Sequence, residues 1–252
     1  MLTLGPNPDD MRPAVWVDGN MHASEFCGSS ASLAIAEDVI AIHSGKADVA
    51  KLPAHMAEAI RHTLFYVVPR ISPDGAAAVL KSGRYVRSHP ADNRNDQGRA
   101  YWQNADVDGD GQMGYMRQQC AQGELVELKD ENGKRVEPGM LVPRLPEDTG
   151  PFYRVYPEGH IVNFDGTHIP DPNYLGDTQT DFNRNFPYQW GSEDVQVGAG
   201  AYPGSEPETR AVLEFVSAHP NIFTWVNYHT FGGVFLRPLG DKPDHQMNQE
   251  DL

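Results

Sequence analysis

Three short, strongly apolar runs constrain the fold of this chain more than any other feature. They lie at residues 13–18, 64–68 and 223–228. Continuous apolar runs of this length are typical of strands that are buried on both faces. Helical signals separate the runs, at residues 23–43, 53–62 and 205–218, and a capping box at Ser205–Glu208 opens the last of these helices. Residues 233–236 are predicted to form a further strand. The alternation of strand and helix predicts an α/β fold, with a mixed, largely parallel sheet flanked by helices.

The middle of the chain has a different character. From about residue 88 to residue 180 it is rich in Asp, Gly, Pro, Asn and Tyr and has no helical periodicity. One hairpin is indicated, because Asn132 and Gly133 form a turn signal between two strand-like segments. We expect residues 88–180 to be a loop-rich insertion with one or two hairpins, inside a single domain that covers residues 1–252.

Composition excludes several classes of protein. The chain has 35 acidic and 20 basic residues among 252, a net charge of −15, and this charge would repel nucleic acid. No apolar run reaches the length that spans a bilayer, so we expect no membrane partner. Two cysteines, Cys27 and Cys120, cannot build a disulfide scaffold or a Cys-rich zinc module. The first ten residues do not resemble a signal peptide, and compartment and oligomeric state are left open.

Two histidines and a glutamate follow predicted strands at the end where α/β proteins bind ligands. His22 and Glu25 come just after the first strand, and His229 directly follows the last. Since strand ends of one sheet can meet at a shared edge, these side chains could form a two-His, one-carboxylate zinc site. The alternative is that His229 is a core histidine and His22 a loop histidine.

A second His-x-x-Glu pair occurs at His55 and Glu58. These residues and His62 would share one face of an amphipathic helix. A solvated charged face is the favoured interpretation of such a pattern.

Two basic segments could bind a carboxylate. Asn183 and Arg184 stand between Phe182 and Phe186, and an arginine beside apolar side chains suits a bidentate grip on a carboxylate. Arg87 is a further candidate cation. For each arginine taken alone, a surface residue is the favoured interpretation.

The insertion contains one acidic motif. Asp106, Asp108 and Asp110 match the first half of an EF-hand-type calcium loop, but position twelve is Arg117 and not the bidentate Glu. The favoured interpretation is an acidic turn. Binding of calcium or another hard cation by these three aspartates is the alternative.

Four segments together resemble the zinc metallocarboxypeptidases of the carboxypeptidase A-like family. Pro13–Glu25 corresponds to the segment of the first two zinc ligands, and Pro69–Gly75 to an Asn-Pro-Asp-Gly turn with Ser72 in place of Asn. Asp181–Phe186 corresponds to the segment of an Asn-Arg pair, and Tyr228–Thr230 with Leu236–Gly240 to the third zinc ligand and the strand after it. The segments stand in the family's order and cover most of the chain outside the insertion. The resemblance implies a carboxypeptidase-like fold and a zinc-dependent hydrolase that removes the C-terminal residue of a peptide.

The resemblance also implies a role for each metal-site residue. His22, Glu25 and His229 would hold one zinc ion. Asp181 would orient the first of these histidines by accepting the N–H of its second ring nitrogen, as carboxylates beside zinc histidines do.

The same resemblance implies the substrate contacts. Asn183 and Arg184 would bind the C-terminal carboxylate of the peptide. Arg87 would stabilise the tetrahedral oxyanion, a role that suits fixed positive charge. Arg84 is the competing match for that position.

The general base of the family has no counterpart in this sequence. The family places this Glu several tens of residues beyond the third zinc ligand, whereas 23 residues follow His229 and Glu250 is too close. We therefore expect a fragment that lacks the family's first strands and the segment of the base, and that is inactive by itself. The alternatives are a zinc-dependent amidase or deacylase of related fold and a non-catalytic zinc-binding module.

Overall fold

The computed structural model describes residues 1–7, 11–46, 51–91, 98, 100–137, 139–172, 180–230, 232–236 and 243–246. The described α-helices are α1 (Phe26–His43), α2 (Ala54–His62), α3 (Pro73–Ser82) and α4 (Pro207–Ala218). The described strands are β1 (Leu2–Leu4), β2 (Ala14–Gly19), β3 (Leu64–Val68), β4 (Tyr101–Asn104), β5 (Tyr115–Gln119), β6 (Leu125–Glu127), β7 (Leu141–Pro143), β8 (Phe152–Pro157), β9 (Gly159–Val162) and β10 (Ile222–Tyr228). Short 3₁₀ turns occur at Phe182–Arg184 and Asp244–Gln246.

The main sheet has four described strands in the order β1-β3-β2-β10. β2 pairs in parallel with both β3 and β10, and β1 joins β3 antiparallel. The predicted fold class is therefore confirmed: the sheet is mixed, largely parallel and flanked by helices. Because β2 and β10 run in the same direction, the residues that follow Gly19 and Tyr228 emerge at one edge of the sheet.

The two faces of the sheet bury different clusters. On one face Val17 and Val67 pack against Ala36 and Val39 of α1. On the other face the buried cluster contains Trp16, Tyr66, Phe182 and α4 residues. Adjacent side chains of a strand point to opposite faces, so Trp16 and Val17 serve the two clusters in turn. The main sheet therefore lies between α1 on one face and α4 on the other, and the turn that contains Phe182 packs on the same face as α4.

Close backbone contact fixes the start of α1 against the sheet. A side chain at Gly19 would collide with the backbone of Gly28, and a Cβ at Gly28 would lie 2.9 Å from the carbonyl oxygen of Tyr228. Only glycine allows helix and strands to approach so closely. This contact brings the loop before α1 to the edge where β2 and β10 end.

The segment 88–180 contains more strand than predicted. In its described part, β4 pairs with β9, and a separate sheet has the order β5-β8-β6-β7. The expected turn at Asn132 and Gly133 is present, with an isolated bridge between Lys129 and Arg135 before the chain returns to β7. Glu127 is buried in this sheet and pairs with the exposed Arg135 at 2.6 Å. That the segment is an insertion within one domain stays a prediction.

Several local predictions differ from the structure. The helix predicted from residue 23 begins at Phe26, because residues 20–25 form the loop that carries the site. The turn predicted at 72–75 is the first turn of α3, with Pro73 at its start. Ser205 does not cap α4; the N-cap residue is Glu206, without a side-chain cap bond.

A strand predicted at 233–236 is absent from the described residues there, which form a turn and an irregular stretch. The rest of the matching segment up to Gly240 lies outside the described residues, as does most of the tail that ends at Leu252. No described helix combines the length and the apolarity that crossing a membrane requires.

Candidate metal centre

Three side chains converge at the edge where β2 and β10 end. His22 Nδ1 lies 3.0 Å from Glu25 Oε1, and His229 Nδ1 lies 3.1 Å from Glu25 Oε2. The Nδ1 atoms of the two histidines are themselves 3.1 Å apart. His22 is 4% exposed, and the carboxylate of Glu25 is also largely shielded from solvent. Residues from both ends of the chain thus form one compact group that could hold a metal ion.

The donor atoms of this group fit zinc. On tetrahedral zinc with ligand distances of about 2.0 Å, neighbouring ligand atoms lie about 3.3 Å apart, close to the separations of these three donors. Two imidazoles and one carboxylate are a common zinc ligand set, and they leave a fourth position open. The lone pair of a neutral His22 Nδ1 and the Glu25 oxygens are all acceptors, so the space between them favours a cation.

The pKa values of Glu25 and His22 are shifted by the neighbouring groups of the same cluster. Burial raises the pKa of Glu25, but hydrogen bonds and charge from His22 and His229 outweigh it and hold the pKa at about 2. Burial lowers the pKa of His22, but hydrogen bonds to Asp181 and Glu25 outweigh it and raise the pKa above its ordinary value. In both cases the environment favours the charged form, and the group attracts positive charge.

Asp181 connects the group to Arg87. Asp181 Oδ1 lies 3.0 Å from His22 Nε2, and Oδ2 accepts from Arg87 Nε at 3.0 Å and Nη2 at 2.9 Å. Asp181 is 1% exposed. When His22 donates its Nε2–H to this carboxylate, its Nδ1 lone pair points at Glu25, which is the tautomer that a metal ligand needs.

The loop between β2 and α1 is shaped by Asn20. Its backbone has a φ of 56°, in the left-handed region that Asn tolerates better than most residues. Its side-chain amide donates to the carbonyl oxygens of His22 at 2.8 Å and Ala23 at 3.0 Å. The chain therefore turns sharply after Gly19 and presents His22 at the sheet edge.

Ser88 bridges several parts of the site. Its hydroxyl accepts from the backbone N–H of Phe182 at 2.9 Å, and its carbonyl accepts from the hydroxyl of Ser72. The preceding carbonyl, that of Arg87, accepts from Ala23 N–H at 2.8 Å. The metal-site loop, the start of α3 and the Asp181 turn thus share one connecting segment.

Asn183 and Arg184 follow Asp181 on an exposed 3₁₀ turn. The backbone N–H of Asn183 donates to Asp181 Oδ1 at 2.8 Å, and Arg184 Nη1 donates to the Asn183 carbonyl at 3.0 Å. The turn is anchored by Asn185, which is fully buried and holds the loop before α4 through the carbonyl of Ala199 at 2.6 Å. The described contacts attach Asn183 to the Asp181 carboxylate but give Arg184 no contact with His22, Glu25 or His229.

The competing histidine cluster lies elsewhere. Glu58 on α2 pairs with Arg61 at 2.9 Å and His62 at 3.0 Å, and its side chain is 58% exposed. His55 is also exposed. The interpretation of this helix face as a solvated charged surface agrees with these contacts.

The acidic motif forms a different group from the one predicted. Asp106 and Asp108 cluster with Glu158, and Asp110 is outside the group. Asp106 accepts from the backbone N–H of Gly109 and Gly111, at 2.6 and 2.8 Å, as in an acidic turn. Calcium at the three aspartates therefore gains no support.

Sequence reasoning missed Asn20, Ser88 and Asn185 as supports of the site. Asn20 had a usable signal, because an Asn directly after a strand and a Gly often turns the chain. For Ser88 and Asn185 no signal was present, since their partners come from distant segments.

Comparison with known proteins agrees with this geometry. A sequence profile of the zinc carboxypeptidases matches residues 1–123 and 165–252. Mast cell carboxypeptidase A of Rattus norvegicus is 35% identical over 80 residues, 29% of this chain and 19% of that protein. Carboxypeptidase O of Bos taurus is 37% identical over 80 residues, 29% of this chain and 21% of that protein. The chain thus spans about a fifth of the length of these relatives. Since the profile covers most of the sequence, the chain belongs to the zinc carboxypeptidase family.

Proposed function

We propose that the protein is a metallocarboxypeptidase that hydrolyses the C-terminal peptide bond of peptides. The observation that carries the proposal is the convergence of His22 Nδ1, His229 Nδ1 and the Glu25 carboxylate within 3.0–3.1 Å of one another. In this proposal His22, Glu25 and His229 hold one zinc ion. Bound there, zinc supplies the Lewis acidity that polarises a peptide carbonyl and activates water.

The surrounding residues orient the metal ligands and receive the substrate. Asp181 accepts the Nε2–H of His22 and so keeps the Nδ1 lone pair directed at the metal position. Arg87, of which 23% of the side chain is exposed, is held beside this carboxylate. Its guanidinium is separated from His22 by this one carboxylate, and from there it would stabilise the negative charge that develops on the carbonyl oxygen. The contact with Asp181 supports Arg87 over Arg84 for this role.

The exposed turn after Asp181 would bind the free carboxylate of the substrate. Asn183 offers amide donors and Arg184 a planar guanidinium that suits bidentate recognition. Because Asn183 stands two residues after Asp181, whose carboxylate contacts His22, a bound C-terminus would place the last peptide bond toward the metal position. This arrangement distinguishes a carboxypeptidase from an endopeptidase, which has no need of a carboxylate receptor.

A pair of substrates tests this proposal. The assay uses the zinc-loaded protein as its whole reading frame encodes it, because residues 1–252 are expected to be inactive by themselves. Its substrates are an N-blocked dipeptide that has a free carboxylate and the same dipeptide as its C-terminal amide. We expect hydrolysis of the free acid alone. Arg184→Ala should raise KM for the acid by about 10–100-fold, the loss expected for a charged hydrogen-bond pair, whereas Arg154→Ala, an exposed arginine of β8, should leave KM unchanged. Equal hydrolysis of both substrates, or of neither, contradicts the proposal.

A further inference from the structure

We infer that Asp18 is a positioning residue that fixes the register of β10 on β2 and thereby places His229 beside His22 and Glu25. This inference deepens the proposed function and rests on it, because it concerns the alignment of the same zinc ligands. Asp18 itself does not belong to the ligand group.

The Asp18 carboxylate is enclosed by donors from both strands. It is fully buried. Its Oδ2 accepts from the indole Nε1–H of Trp16 and from that of Trp225, each at 2.6 Å. Its Oδ1 accepts from the side-chain amide of Asn227. Two of these three donors, Trp225 and Asn227, belong to β10, so the carboxylate is a cross-link between the strands.

The position of the cross-link bears directly on the third ligand. Side chains two residues apart on a strand share one face, so Trp225, Asn227 and the following His229 project on the same side of β10. Asp18 pairs with Asn227 in the parallel register, one row before the strands end. The last side-chain contact between β2 and β10 before the metal site is therefore made by Asp18.

β10 depends on such a device more than the inner strands do, because one described strand alone pairs with it. Among the described strands it lies at the end of the sheet and pairs only with β2. The pairing also has an irregularity between Ile222 and Thr224. A slip of one residue would turn His229 to the opposite face, and a slip of two would move it about 6.6 Å along the strand. Either slip separates its Nδ1 from Glu25.

A carboxylate serves this purpose better than an apolar side chain. Burying it costs desolvation energy that an apolar residue would avoid. An ionised carboxylate only accepts hydrogen bonds, and all three neighbours donate. Trp225 and Asn227 reach it together in one register alone. The buried carboxylate therefore specifies one strand alignment, at a cost in stability.

Asp18→Asn tests the inference, because an amide replaces one acceptor oxygen with an NH₂ group that faces N–H donors. Glu37→Gln, which removes one charge from an exposed position of α1, is the matched control. Hydrogen exchange is measured on the zinc-free, full-length proteins. We expect the amides of residues 226–228 to exchange at least about tenfold faster in Asp18→Asn, with the β1–β3 ladder unchanged. Exchange equal to that of the wild type would overturn the inference.

Zinc affinity, measured by chelator competition, is the second readout. We expect Asp18→Asn to weaken binding by about tenfold, similar to the loss of other residues that orient metal ligands. Combined with His229→Ala, the same substitution should weaken it no further, since Asp18 acts through that ligand. An equal weakening in both backgrounds indicates general destabilisation and overturns the inference.

Two further outcomes need their own experiments: an Asp18→Asn protein that does not fold, and a wild-type protein that binds no zinc. If Asp18→Asn does not fold, Trp225→Phe removes one β10 donor and keeps the ring. Faster exchange at residues 226–228 and at least threefold weaker zinc binding are then expected, and wild-type values for both would overturn the inference. A wild-type protein that binds no zinc contradicts the proposed function, while the exchange experiment still decides the role of Asp18 in strand register.

Discussion

At the scale of single residues, the carboxylate of Asp181 links the first metal histidine to an arginine. Burial raises the pKa of Asp181, but the hydrogen bonds and charges of His22 and Arg87 outweigh it and hold the pKa well below its usual range. Asp181 is therefore ionised at neutral pH and accepts hydrogen bonds from both partners. The orientation of the His22 ring depends on this single side chain.

Asp181→Asn should lower zinc affinity by about 10–100-fold, because an amide is a weaker acceptor for the His22 N–H and cannot pair with Arg87. The dissociation constant is measured by competition with a zinc chelator. Asp165→Asn is the control, since Asp165 is exposed and bonds only within its own turn. Unaltered zinc affinity in Asp181→Asn would show that the carboxylate does not orient the ligand.

The sequence predicts the group of His22, Glu25 and His229 because His22 and Glu25 lie in the loop after β2 and His229 directly follows β10. It could not indicate how Asn20 and Ser88 support them. Those supports depend on a left-handed backbone conformation and on contacts between segments 94 residues apart. The contacts of Ser88 arise only when the chain has folded, and no local pattern encodes them, whereas the position of Asn20 after a strand and a Gly is a local turn signal.

At the scale of elements, α1 is pressed against the ends of β2 and β10. A Cβ on Gly28 would lie 2.9 Å from the Tyr228 carbonyl oxygen and 3.0 Å from the backbone nitrogen of Asn20. Tyr228 directly precedes His229, and Asn20 lies in the loop that presents His22. The position of the helix and the geometry of the site are thus coupled.

Gly28→Ala should destabilise the protein by about 1–3 kcal/mol through overpacking, although alanine ordinarily stabilises a helix relative to glycine. It should also weaken zinc binding, because the segments beside His22 and His229 must move apart. Urea unfolding and zinc titration measure the two effects. Ser30→Ala, at an exposed position of the same helix, should change neither. A stabilised Gly28→Ala protein would contradict the coupling.

The start of α4 provides a test by pH. A hydrogen bond from His89, at 3.0 Å, and one from Ser205 lower the pKa of Glu206. A carboxyl group with a lowered folded pKa stabilises the protein above its unfolded pKa, about 4.3. It loses that contribution as pH falls through the folded pKa.

Glu206→Gln should therefore reduce the free energy of unfolding by about 1 kcal/mol at pH 7. It should also flatten the decline of stability between about pH 5 and pH 3. Urea unfolding across this range measures both. Glu214→Gln, on the exposed side of α4, should keep the wild-type slope. Parallel profiles for Glu206→Gln and the wild type would contradict the role of this pair.

Among the elements, the positions of the main-sheet strands were the most predictable from sequence. The prediction that the last of them is buried on both faces was wrong, because Phe223 and Trp225 of β10 are exposed. The run at Leu64–Val68 coincides with β3, because an uninterrupted apolar stretch has no competing interpretation of that length. The small strands between residues 101 and 162 were less predictable. In β5, for example, four of five residues are exposed, so pairing with a neighbouring strand and not a hydrophobic pattern defines it.

At the scale of the whole molecule, the zinc carboxypeptidase profile leaves residues 124–164 unmatched. This stretch contains β6, β7, β8 and β9, whose partners are β4, β5 and one another. Glu127 is the buried charge of the larger of these sheets, paired with Arg117 at 3.0 Å and Arg135 at 2.6 Å. The site, by contrast, is assembled from the main sheet.

Glu127→Gln should accordingly affect only the β5-β8-β6-β7 sheet. We expect faster hydrogen exchange in β6 and β8, corresponding to a loss of about 1–3 kcal/mol for hydrogen bonds between charged groups. Zinc affinity should stay within about twofold of the wild-type value. Glu131→Gln, in the exposed turn of the same hairpin, serves as control. A large loss of zinc affinity would show that the β5-β8-β6-β7 sheet supports the metal centre.

The central claim is that residues from the two ends of the chain together hold one zinc ion. Zinc content after dialysis of the full-length wild-type protein and of His22→Ala, His229→Ala and His55→Ala tests it most directly. We predict about one equivalent of zinc in the wild type and in His55→Ala, and less than about a tenth in the other two, since a zinc site needs its full set of protein ligands. Zinc retained by His22→Ala and His229→Ala, or lost from His55→Ala, would contradict the account.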